Sequence, residues 1–122
     1  MPSGQARTIF VVDDEKIICQ TLAAILSQAG FDARAFENAQ SAIDAATFGA
    51  PDLMITDVVM PEMTGIDLAI LFRARWPKCK VILFSGQAST ADLLEAARKD
   101  GYEFDILAKP VHPKDLLAKL EC

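Results

Sequence analysis

The strongest constraint on the fold is a repeated alternation of two kinds of segment along 122 residues. One kind is short, apolar and rich in β-branched or aromatic residues: Ile9-Phe10-Val11-Val12, Leu53-Met54-Ile55-Thr56 and Val81-Ile82-Leu83-Phe84. Continuous runs of this type suit strands covered on both faces, as in a parallel sheet. Phe31 to Phe36 alternates apolar and polar residues, which suits an edge strand with one wetter face, and Phe104-Asp105-Ile106-Leu107-Ala108 is a weaker fifth strand. The other kind has helical length. Glu15 to Ala29 spaces Ile18, Leu22, Ile25 and Ala29 as one helix face, with Gly30 to close it. Asn38 predicts the cap of a helix to about Phe48, and Thr64 with Asp67 resembles a capping box ahead of Ile66, Ala69, Ile70 and Phe72. Ser89 or Thr90 opens a helix with Leu93, Leu94, Ala96 and Ala97 that ends at Gly101. Pro113 fits the first turn of a last helix carrying Leu116, Leu117 and Leu120.

The order is strand–helix, five times over. It predicts an α/β fold, (βα)5, with a doubly wound five-stranded parallel sheet in the order 2-1-3-4-5, the flavodoxin-like arrangement. The length suits one such domain, with residues 1–6 as a disordered leader and 7–121 as the domain. Composition narrows the function classes. A net charge of −5 argues against a non-specific nucleic-acid binder. No apolar run approaches the length of a membrane span, and the first apolar run ends in acids, unlike a signal peptide. Cys19, Cys79 and Cys122 form no CxxC pair, so a reducing cytoplasmic setting is expected rather than a disulfide framework or zinc site.

In an open parallel sheet, ligands bind beyond the carboxyl ends of the strands, where the strand order reverses. Here those ends are Asp13-Asp14-Glu15, Asp57, Ser85-Gly86 and Lys109-Pro110. Each has a plain structural explanation. Asp14 or Glu15 could cap the first helix, Asp57 could be a loop acid, Ser85-Gly86 an ordinary turn and Lys109 a solvated surface residue. Their joint placement points instead to chemistry. Two carboxylates about 4 Å apart repel by roughly 4 kcal/mol at an effective dielectric of 20, so Asp13, Asp14 and Asp57 together need a cation or a proton. Lys109 supplies one positive charge; a hard divalent ion with oxygen ligands and waters, Mg²⁺ rather than zinc, is the natural complement. Such a rim suits phosphoryl transfer, with Asp57 as nucleophile and Ser85 and Lys109 binding the moving group's oxygens.

The sequence at these positions resembles the receiver domain of two-component response regulators. The resemblance rests on Phe10-Val11-Val12-Asp13-Asp14-Glu15, Asp57-Val58-Val59-Met60-Pro61-Glu62-Met63-Thr64-Gly65, Phe84-Ser85-Gly86 and Ala108-Lys109-Pro110, and covers about Arg7 to Leu120. It implies a phosphoacceptor switch rather than an enzyme. Asp57 would take a phosphoryl group from the phosphohistidine of a sensor histidine kinase or phosphotransfer protein. Asp13, Asp14, Asp57 and the backbone carbonyl of Val59 would hold Mg²⁺, and Ser85 and Lys109 would respond to the new charge. The resemblance further implies an output domain or protein engaged through the fourth helix, fifth strand and fifth helix, with no direct nucleic-acid or membrane partner. Two departures stand out: Ile106 replaces the aromatic switch residue common in the family, and the stretch Gly101 to Lys109 is one residue longer than usual. Val59 and Gln87 occupy positions that tune phosphoryl lifetime in the family. The alternatives are a pseudo-receiver that binds partners without phosphorylation, and a Mg²⁺-dependent phosphohydrolase with an Asp nucleophile. The second would want an Asp at position 59. His112 reads as a helix-start surface residue and Trp76 as a partly exposed lid at the sheet's far end.

Overall fold

The computed structural model describes residues 7–86, 90–102, 104–108 and 112–120. Five strands, β1 (Thr8–Val12), β2 (Asp32–Phe36), β3 (Leu53–Asp57), β4 (Lys80–Ser85) and β5 (Asp105–Ala108), alternate with five helices. These are α1 (Lys16–Gln28), α2 (Ala39–Phe48), α3 (Gly65–Arg75), α4 (Thr90–Lys99) and α5 (Pro113–Leu120). All strand pairs are parallel, in the order β2-β1-β3-β4-β5. The expected doubly wound sheet is therefore the one observed.

The strand runs explain which side each helix covers. β1 and β3 are interior strands, and every residue of β3 is buried. Alternate side chains go to opposite faces. Val11, Ile55 and Phe84 pack with Cys19, Leu22 and Leu26 of α1 and Leu116 and Leu120 of α5. Phe10, Val12 and Met54 pack on the other face with Ala42 and Ile43 of α2 and Leu68 and Phe72 of α3. Val58, Leu83 and Ala97 continue that second layer towards α4. β2, at the edge, has no fully buried residue, as its alternating sequence requires.

The caps follow local chemistry. Asn38 accepts a bond from the Ser41 amide at 2.8 Å, and Thr64 Oγ1 accepts from the Asp67 amide at 3.1 Å. Gly30 and Gly101 take positive φ values of 101° and 92° after α1 and α4, which Gly adopts without steric cost. Trp76 closes α3, half-buried, with its ring 4.7 Å from that of Phe72. His112 is exposed at the start of α5, where its Nδ1 accepts from the Lys114 amide at 3.1 Å. Ala96, expected on the apolar face of α4, is exposed; Ala97 and Leu94 carry the packing there. The expected cap Ser89, the Leu93 side chain, Cys122 and the leader lie outside the described residues. Among the described residues no helix is long and apolar enough to cross a membrane.

Candidate functional site

β1 and β3 are neighbours, so their carboxyl ends deliver the acids of both strands to one place. The register pairs Val12 with Thr56, which sets Asp13 and Asp57 side by side one residue further on. Asp14 follows in the turn before α1. Carboxylate oxygens of Asp13, Asp14 and Asp57 all lie within 4.8 Å of one another. Asp13 is fully buried, Asp57 is 7% exposed, and Asp14 faces solvent. Burial removes the water that would otherwise screen the repulsion, so the cluster is costly without a counter-charge.

The local contacts refine what each acid does. Glu15 occupies the N-cap position of α1 but makes no side-chain capping bond. Its amide instead donates to Asp13 Oδ1 at 2.8 Å. Neither Asp14 nor Glu15 is therefore the side-chain cap that a plain reading of the acidic run suggests. Asp13 anchors the turn with one oxygen and belongs to the acidic cluster as well. Its charge also acts on Cys19, whose thiol is held above the usual range by burial first, then by Asp13 and Glu37.

The chain leaves β3 through a tight loop. Thr56, fully buried, donates from Oγ1 to the Asp57 carbonyl at 3.0 Å and lies 4.0 Å from Met60 Sδ. The Gly65 amide donates to the Val58 carbonyl at 2.8 Å. A Cβ on Gly65 would sit 1.9 Å from the Asp57 carbonyl oxygen, so only glycine lets α3 start this close to β3. Glu62, in the same loop, adopts φ 71°, the left-handed region that side-chain-bearing residues enter at a cost. Val59 presents a 40% exposed side chain beside the site.

Of the remaining expected site residues, Ser85 lies on β4 and Ile106 on β5. Asp57 is level with Phe84, and Ser85 is the next residue of the adjacent strand, half-buried and paired in register with Ala108. Lys109 follows Ala108 in sequence and lies outside the described residues, as do Pro110 and Gln87. Ile106 is level with Leu83 and 43% exposed. Phe104 packs against the cluster that contains Leu83, with its ring stacked on Tyr102 and the Arg73 guanidinium 4.5 Å from its centroid. Aromatic bulk next to Ile106 is thus tied into the α3 side of the sheet. Sequence reasoning missed Thr56 as part of the site, and read Gly65 as part of a motif without its steric role. Thr56 reads as the end of an apolar run, and the Gly65 approach joins segments that only the fold brings together.

The donor set suits a hard divalent cation. All three side chains offer carboxylate oxygen, two are fixed by burial, and the exposed third leaves a wet side for the waters that Mg²⁺ retains.

Comparison with known proteins decides the family. The response regulator receiver domain family matches residues 9–121. This chain is a receiver domain. It belongs to the response regulators of two-component systems, and is a signalling domain rather than a catalytic one. It is 34% identical over 116 residues to the DNA-binding transcriptional regulator NtrC of Azospirillum brasilense, covering 95% of this chain and 24% of that protein. It is 32% identical to the transcriptional regulatory protein CreB of Escherichia coli K12, covering 95% of this chain and 50% of that one. The receiver thus spans from about a quarter to a half of the length of these relatives. Among solved structures, a signal receiver domain of an HD domain-containing protein from Pseudomonas fluorescens matches with a TM-score of 0.86 at 26% identity, covering 96% of this chain and 93% of that one. A receiver domain protein from Clostridium thermocellum matches at 0.80 and 28%, covering 94% and 91%.

Proposed function

We propose that this receiver is a phosphoacceptor switch in which Asp57 takes a phosphoryl group from the phosphohistidine of a sensor histidine kinase or phosphotransfer protein. The observation that carries the reading is the cluster of Asp13, Asp14 and Asp57 oxygens at the carboxyl ends of adjacent strands. A carboxylate of Asp57 forms the new O–P bond as the N–P bond of the donor breaks, leaving an acyl phosphate on β3. Asp13, Asp14, Asp57 and the Val59 carbonyl would hold Mg²⁺, which when bound offsets the charge of the acids and of the transferred group. Ser85 and Lys109 are the hydroxyl and ammonium that bind the phosphoryl oxygens. The product adds roughly one negative charge and three acceptor oxygens to the rim. That favours a conformation in which Ser85 and Lys109 close towards Asp57, with the change passed to α4, β5 and α5.

Ile106 occupies the place of the usual aromatic switch, so the coupling runs through packing alone at that position. An output domain or protein reads the α4-β5-α5 face, and the setting is cytoplasmic.

The test is incubation with acetyl phosphate and Mg²⁺, followed by intact-mass measurement. One phosphoryl increment is expected on the wild-type chain and none on D57N or on wild type treated with a chelator. An increment that persists in D57N would sink the assignment, and a protein that never gains one would be a partner-binding module instead.

A further inference from the structure

We propose that Thr56 is a positioning residue for the acceptor, acting through its hydroxyl on the peptide that links Asp57 to Val58; the inference rests on the reading of Asp57 as phosphoacceptor. Thr56 is fully buried on β3, between the apolar run Leu53-Met54-Ile55 and the Asp57 that ends the strand. Its Oγ1 has two neighbours in reach, the Asp57 carbonyl at 3.0 Å and Met60 Sδ at 4.0 Å. A hydroxyl has one hydrogen to give, and the carbonyl is the stronger acceptor of the two. The proton therefore goes to the Asp57 carbonyl, with the thioether as a packing neighbour.

The consequence lies in three successive carbonyls. The first, of Asp57, accepts from Thr56 Oγ1 and lies where a Cβ on residue 65 would collide with it. The second, of Val58, accepts from the Gly65 amide at 2.8 Å. The third, of Val59, is the expected backbone ligand of the cation. Fixing two consecutive peptide planes leaves only the two dihedrals of Val59 to set how the third is presented, which narrows its directions. Thr56 and Asp57 point to opposite faces of β3, so the hydroxyl does this without entering the reactive rim.

The test separates hydroxyl from methyl. T56V keeps the shape and removes the donor; T56S keeps the donor and removes a methyl; T56A removes both. In the protein without metal, T56V is expected to exchange its Gly65 amide hydrogen about tenfold faster than wild type, the scale of one lost hydrogen bond. Its dissociation constant for Mg²⁺, followed by NMR titration, is expected to rise at least about threefold. T56S should stay near wild type in both. Should T56V fail to fold, T56A takes its place against T56S. Equal exchange and equal Mg²⁺ affinity in T56V and wild type would overturn the proposal, and so would a T56S as impaired as T56V, since that makes the role one of packing. Absence of Mg²⁺ binding in wild type would instead remove the acceptor reading, and the Gly65 exchange comparison would still decide whether the hydroxyl sets the loop.

Discussion

β3 has an aspartate at each end, and the two live in opposite circumstances. Asp52, just before the strand, is exposed and bonded to backbone through its side chain, amide and carbonyl. Its Oδ2 accepts from the Thr8 amide at 2.8 Å, its own amide donates to the Thr8 carbonyl at 2.8 Å, and its carbonyl accepts from Lys80 at 3.1 Å. One residue thereby aligns the starts of β1, β3 and β4. Asp57, at the far end, is buried among two other carboxylates. The first aspartate ties strand starts together; the second belongs to a cluster of carboxylates that could hold a cation. Strand ends of identical chemistry thus become a rivet or a candidate cation site according to whether backbone amides or other acids surround them.

The sharpest way to disturb this contrast is at Gly65. G65A forces a methyl towards the Asp57 carbonyl, and we expect a loss of about 3 kcal/mol in urea unfolding, the upper range for overpacking. It should also weaken Mg²⁺ binding, since the end of β3 must shift. D52A probes the other end. It removes a charge-assisted bond at an exposed position, so about 1 kcal/mol is expected from the same unfolding measurement, with Mg²⁺ affinity unchanged within about twofold. A D52A protein with impaired metal binding would show that the two ends are not independent.

The smallest effect concerns Cys79, buried near Asp52, whose thiol burial and then the Asp52 charge push from 9.0 up to about 11. The unfolded chain loses this proton first. The thiol's contribution to stability is therefore intact below about pH 9 and is lost as pH rises from there towards 11. C79A should show a shallower fall of Tm across that interval than wild type. Parallel curves for the two proteins would contradict the assignment.

The sequence was most readable where burial is two-sided. β1, β3 and β4 announce themselves as unbroken apolar runs because helices cover both faces, and the caps Asn38 and Thr64 are local chemistry. The acidic rim was legible because strand order converts positions in sequence into neighbours in space. What stayed hidden depends on approach between distant segments. The Gly65 contact with the Asp57 carbonyl, the Asp52 bond to Thr8, and the Arg73 guanidinium over Phe104 each join elements whose spacing no local pattern encodes. Glu15 shows the limit of the local reading: an acid ahead of a helix can cap it with its side chain, but here the Glu15 amide donates to Asp13 and its side chain makes no capping bond.

Glu62 carries one last lesson. A residue other than glycine held at φ 71° costs of the order of 1 kcal/mol. The segment leading out of β3 is therefore sprung, and the molecule sits below the ceiling its architecture allows. Anyone wanting a sturdier version could begin at that residue and leave every carboxylate of the rim in place.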